Sequence, residues 1–180
     1  MEALAQKNLL IQKSPTQVEY YAVGQWAGSL DELLKQVHRW KFIGKRIAFT
    51  NGCFDLIHLG HVDYLAKAAD LADILIVGLN TDEGVKRLKG PHRPINDEQQ
   101  RSMVIASLHV VSAVVLFGED TPLELIRSIC PDVLVKGADY TIETIVGSKD
   151  VLASGGKVTT IEFLPGYSTT AIEARIRENR

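Results

Sequence analysis

The sequence holds only two cysteines in 180 residues, Cys53 and Cys130. A pair gives no disulfide framework, which excludes a small cystine-stapled secreted scaffold. It also lacks an excess of either charge. Twenty basic side chains face 22 acidic ones, for a net charge of -2. The overall field therefore favours neither nucleic acid nor an anionic membrane, and any bound anion must be held by a local cluster. No apolar run approaches the ~20 residues that a transmembrane helix needs. Met1 to Gln12 has no signal-peptide layout, because Lys7 and Asn8 interrupt it and no long apolar stretch follows. Repeats and low-complexity tracts are missing too. These absences make the cytoplasm the expected compartment. What remains, 46% hydrophobic and 23% charged, is the composition of an ordinary globular domain with enough chain for one real core.

Residues 1–28 carry Pro15, Gly24 and Gly28, show no clear period, and read as an extension. The domain proper is expected over 29–180. Ser29 and Glu32 have capping-box spacing, and Leu30, Leu33, Leu34 and Val37 follow at helical intervals. From there strands and helices alternate. Strands are expected at Arg46–Thr50, Ile74–Gly78, Val111–Phe117, Val133–Lys136 and Lys157–Phe163. Helices are expected at His61–Ala72, from an Asn96 cap to about Leu108, and from Thr121 with Pro122 in its first position. Two more are expected near Ser148–Ser154, stopped by Gly155–Gly156, and from Thr170 onward. Continuous apolar strands between helices imply an α/β fold, a doubly wound five-stranded parallel sheet covered on both faces. Ligands in such sheets bind beyond the carboxyl ends of the strands, so the loops there are where chemistry is expected.

The first of these loops, Thr50-Asn51-Gly52-Cys53-Phe54-Asp55-Leu56-Ile57-His58-Leu59-Gly60-His61, runs from a strand into a helix. A helix N-terminus offers free N–H groups and partial positive charge, a natural phosphate seat. His58 and His61 are three apart and share one face of the entering turn. Gly60 removes a side chain where a ligand must approach the backbone. Two imidazoles there can donate to a polyphosphate and stabilise charge developing on it. A zinc hydrolase would space its histidines by four with a glutamate beside the first, whereas here the spacing is three and Leu59 takes that place.

TNGCFDLIHLGHVDYL resembles the HxGH nucleotidyltransferases, a family of cytidylyltransferases and adenylyltransferases. The resemblance covers about residues 29 to 178. It implies a Rossmann-like nucleotidyltransferase fold, with His58 and His61 as catalytic phosphate contacts. Nucleotide contacts would come from Thr50, Asn51, Gly52, Cys53, Phe54, Asp55 and Gly60. A basic stretch, Lys86 to Pro94, reads alone as a solvated turn. By similarity it looks like a phosphate clamp, with Lys89 catalytic and Arg93 on the substrate. Arg101 resembles a further substrate-binding arginine, although a surface charge would also explain it. Lys136, Gly137 and Asp139 follow a strand and resemble a nucleoside-binding turn, with Ala138 a departure from many relatives. Ser168, Thr169 and Thr170 resemble the family's hydroxyl-rich motif for the outer phosphates, though simple N-capping would also account for them. Some cytidylyltransferases carry an arginine three residues before the glycine of this motif, where this chain has Phe163.

The implied chemistry is in-line attack by an acceptor phosphate on the α-phosphorus of a nucleoside triphosphate, with Mg²⁺ accompanying the nucleotide. No resident metal and no covalent nucleophile is expected. The implied partners are a nucleoside triphosphate and a sugar phosphate, with no nucleic acid and no membrane. The assembly is expected to be a homo-oligomer, a dimer. RLKGPHRPIN, EDTPLELI, LVKGADY and GYSTT look like the adenylyltransferase module of bacterial heptose biosynthesis. That likeness implies AMP transfer from ATP to D-glycero-β-D-manno-heptose 1-phosphate, for lipopolysaccharide or another surface glycan. Residues 1–28 are too few for the sugar kinase that precedes this module in many bacteria, which implies a stand-alone enzyme. Two other functions remain open at this stage. One is CTP-dependent transfer to glycerol 3-phosphate or another alcohol phosphate, and the other is a non-catalytic nucleotide-binding module.

Overall fold

The computed structural model describes residues 30–178 in full, and the backbone alone of residues 10–14, 17–22 and 25–28. The elements in chain order are β1 (Leu10–Ser14), β2 (Gln17–Ala22), β3 (Gln25–Gly28), α1 (Leu30–Phe42), β4 (Ile47–Gly52) and α2 (Leu59–Ala69). After them come β5 (Ile74–Asn80), α3 (Asp82–Lys89), α4 (Glu98–Ala106), β6 (Ala113–Phe117), α5 (Leu123–Ile129) and β7 (Val133–Gly137). A 3-10 turn at Ile142–Thr144, then α6 (Ser148–Ala153), β8 (Lys157–Ile161) and α7 (Thr169–Glu178) complete the chain.

The five expected strands form an all-parallel sheet in the order β6-β5-β4-β7-β8. The chain reverses its winding direction at β4, which pairs with β5 on one side and β7 on the other. The sheet is wider than expected. β3 adds to β6 in parallel, and β2 and β1 follow antiparallel, giving eight strands. Residues 10–14, 17–22 and 25–28 of the extension thus join the sheet edge, although their sequence shows no period that marks strands.

Alternation along each central strand feeds two cores. Ile47 and Phe49 point to one face, with Leu33 and Val37 of α1 and Leu125, Ile126 and Ile129 of α5. Ala48 points to the other, with Leu65 and Ala68 of α2 and Ile105 and Ala106 of α4. Burial on both faces is why these strands read as unbroken apolar runs. It also leaves the strand ends as the open place for polar chemistry.

Several local readings are corrected. Lys86 to Lys89 form the last turn of α3 rather than a loop, with Thr81 capping its start by accepting from Gly84 N at 3.3 Å. Asp97, not Asn96, caps α4, accepting from Gln100 N at 2.8 Å, because the Asn96 amide is turned to the carbonyl of Asp55. Pro122 stands at the cap of α5 rather than inside it. Ser168 caps α7 in place of Thr170, its Oγ accepting from Ala171 N. α2 begins at Leu59, and β4 and β5 each extend two residues further into the site than expected. The expected Ser29 cap lies outside the described residues.

Candidate active site

The carboxyl ends of β4, β5, β6 and β7 open into a cleft of about 520 Å³. Nine of the residues singled out in the sequence line it: Asn51, Gly52, Cys53, Phe54, His61, Lys89, Lys136, Gly137 and Asp139. His58 stands behind His61. The rings stack with centroids 3.8 Å apart and planes at 21°, so the three-residue spacing does put both on one face. His58 is the N-cap residue of α2 but makes no side-chain cap bond there. Both Nδ1 atoms are buried without a hydrogen-bond partner. Burial lowers the affinity of each ring for a proton, and for His61 the neighbouring His58 and Lys89 add to this, pulling it to about 4. Both shifts favour the neutral ring, and a neutral imidazole can present one N–H to an incoming oxygen.

Gly60 sits at a close approach. A Cβ there would lie 3.1 Å from the His58 ring and 3.2 Å from Tyr167 Cβ. The motif loop and the loop before α7 therefore meet at this glycine. The Phe54 ring stands edge-on to His61 at 5.3 Å, and its left-handed backbone, φ 44°, turns the chain between strand and helix.

Lys89 and Lys136 supply positive charge. Lys89 is exposed at the end of α3, whereas Lys86 pairs with Glu83 and Arg87 with Asp120. The Lys136 ammonium donates to the carbonyl of Asn51 at 3.3 Å and lies 5.2 Å from the Tyr140 ring. Burial pulls it down to about 8, against the opposing pull of Asp139. An anion arriving in the cleft would stabilise the protonated form further. Cys53 lies 3.8 Å from the Asn80 amide oxygen, and burial pushes its thiol up. A thiol held protonated is a weak nucleophile.

Other expected residues surround the cleft without lining it. Thr50 is fully buried, its hydroxyl 2.8 Å from that of Tyr64. The Asp55 carboxylate is also buried and accepts from Arg93 Nη1 at 2.6 Å and from the N–H groups of Ile95 and Asn96. Arg93 Nη2 lies 2.8 Å from Glu173 Oε1. That contact is an ion pair without hydrogen-bond alignment, and the Glu173 oxygen is otherwise unpartnered. Arg101 is no surface charge. Its side chain is 0% exposed, donating to the carbonyls of Cys53 and Asn96 and to Asp82. Ser168, Thr169 and Thr170 form the start of α7 beside Gly60.

Sequence reasoning passed over Tyr64, Asn80, Asp120, Thr121 and Phe163, which also line the cleft. Asn80 is the last residue of β5 and was legible as a strand-end position. Phe163 was noted only as a departure. Its ring lies so tightly over Gly137 that any Cβ there would collide with it. It also stands 5.7 Å from the Tyr64 ring. Among the described residues no group of three His, Cys, Asp or Glu could hold a metal, and no helix is long and apolar enough to cross a membrane.

The family model described as cytidylyltransferase-like matches residues 49–175. The chain is 54% identical over 144 residues to the bifunctional protein HldE of Methylobacillus flagellatus, a match covering 80% of this chain and 30% of that protein. It is 59% identical over 140 residues to the bifunctional protein HldE of Caulobacter vibrioides, covering 78% and 29%. The chain thus spans about 30% of the length of these curated relatives. A crystal structure of a lipopolysaccharide core biosynthesis protein from Thermoplasma volcanium superposes with a TM-score of 0.54 at 27% identity, covering 67% of this chain and 98% of that one. On the extent of these matches and the strand–motif–helix geometry that underlies them, the chain belongs to the cytidylyltransferase-like family of HxGH nucleotidyltransferases.

Proposed function

We propose that this chain is an adenylyltransferase that moves AMP from ATP to a sugar 1-phosphate and releases pyrophosphate. The preferred acceptor is D-glycero-β-D-manno-heptose 1-phosphate and the product is an ADP-heptose. The observation that carries the reading is the stacked pair His58–His61 at the start of α2, with His61 lining a cleft that has Lys89 and Lys136 on its walls. The acceptor and product are supported by similarity to the HldE proteins over their shared segment.

The acceptor's phosphate oxygen attacks the α-phosphorus in line as pyrophosphate leaves. His58 and His61 donate to phosphate oxygens where charge develops. Lys89 offsets the repulsion between two anions, and Lys136, protonated below about 8, adds a second positive charge that the arriving nucleotide holds in place. Gly137, Asp139 and the Phe163 ring border the base, and Ser168 to Thr170 approach the outer phosphates. Arg101 and Asp55 serve by fixing the motif loop. Mg²⁺ would enter with the triphosphate, held mainly by phosphate oxygens, and would neutralise the departing pyrophosphate. Lys89, Lys136 and His61 on the cleft wall suit the phosphate oxygens of such a complex.

A cytoplasmic homodimer working on small molecules completes the reading, and sedimentation equilibrium checks its assembly. The test of activity is pyrophosphate release across four nucleoside triphosphates and a panel of sugar and alcohol phosphates. Preference for CTP with glycerol 3-phosphate would move the assignment to a cytidylyltransferase. Release with no pair would leave a nucleotide-binding module.

A further inference from the structure

Arg93 is placed where a phosphate ligand is expected, yet its guanidinium is already committed. One arm bonds the buried Asp55 carboxylate at 2.6 Å, and the other lies 2.8 Å from Glu173. Asp55 is held in turn by the backbone of Ile95 and Asn96. One cation between two carboxylates leaves no surplus positive charge for a third anion. Glu173 belongs to α7, and α7 is attached unlike the other helices packed on the sheet. None of its residues is buried, and neither core cluster includes one of them. Its first turn nevertheless carries Ser168 to Thr170, next to Tyr167 against Gly60. A turn that must meet a ligand but has no core anchor needs another fastening, and the partly buried ion pair supplies it. Arg93 is 17% exposed and Glu173 26%, so the pair is shielded enough from solvent to count.

We propose that Arg93 and Glu173 form a latch, anchored on Asp55, that positions the Ser168–Thr170 turn for the outer phosphates of the nucleotide. This assignment rests on the nucleotidyltransferase reading. Both are positioning residues, acting through the turn rather than on the reacting atoms.

The test is E173Q, which keeps the size of the side chain and removes its charge. The latch predicts a KM for the triphosphate raised roughly five- to tenfold, with kcat changed less than about twofold. Arg175 and Arg177 lie on the exposed part of α7, so trypsin should cut there faster in E173Q than in the wild type, and ATP should slow the cut in both. The variant R93K keeps one charge but cannot span both carboxylates. It should also raise KM, and R93K/E173Q should be no worse than R93K alone. If Arg93 were instead a phosphate ligand restrained by Glu173, E173Q would free it and KM would fall, which overturns the proposal. Unchanged KM and unchanged cleavage overturn it too. A wild-type chain that releases no pyrophosphate with any pair refutes the functional reading instead, while the cleavage comparison still decides whether Glu173 fastens α7.

Discussion

The loop after β4 and the loop before α7 meet at Gly60, yet they are held by different means. The first is tied from behind by buried charge. Arg101 grips the Cys53 carbonyl, Asp55 grips the backbone of Ile95 and Asn96, and Thr50 bonds Tyr64 beneath. The second rests on the surface, capped by the exposed Ser168 and followed by a helix with no buried residue. One side is preorganised at the cost of burying charges. The other carries the partly buried Arg93–Glu173 ion pair, which on the proposed reading keeps its groups near the site. The reacting α-phosphorus needs fixed donors, because reorganisation at the moment of reaction is costly. On the proposed reading the outer phosphates, which leave, are met by a turn that can adjust.

Breaking the rigid side should have the largest effect. Arg101→Met removes the donor for two part-buried carbonyls and the partner of Asp82 in the Arg101–Asp82 ion pair, at a cost of about 3 kcal/mol, read as a lowered urea midpoint with unchanged slope. Next come the histidines themselves. His58→Ala and His61→Ala should each cut turnover by at least ~100-fold with stability almost intact, measured as steady-state pyrophosphate release. Near wild-type rates in both would end their role as phosphate contacts.

The cationic wall sharpens the comparison through pH. Lys136 loses its proton at about 8 in the free protein because of burial, and only the protonated form attracts phosphate. kcat/KM should therefore hold below that pH and fall above it, to roughly a tenth at pH 9, whereas Lys136→Arg should flatten the limb. The smallest effect is expected at the cleft mouth. Lys89→Ala should slow turnover by about tenfold, and Lys149→Ala, on the outside of α6, should leave it unchanged. Equal rates for the two variants would make the end of α3 an ordinary solvated face.

The central fold was legible because its strands are buried on both faces, which writes a continuous apolar run into ILIVG and AVVLF. The motif loop was legible because it carries the residues and spacing of the HxGH family between a strand and a helix. Three kinds of feature were not. The strands of residues 10–28 carry no apolar period, and their pairing is decided by the free edge of β6. The roles of Arg93 and Arg101 depend on partners 38 and 48 positions away in sequence, Asp55 and the Cys53 carbonyl. A basic residue looks the same in sequence whether its partner is a ligand or a buried carboxylate. Phe163 and Gly137, 26 positions apart in sequence, meet only because β7 and β8 are neighbours.

The most direct measurement is kcat/KM for acceptor-dependent pyrophosphate release, with ATP and with CTP, using D-glycero-β-D-manno-heptose 1-phosphate. The account predicts release with ATP far exceeding that with CTP, together with formation of an ADP-sugar in equal amount. No acceptor-dependent release with either nucleotide would contradict it.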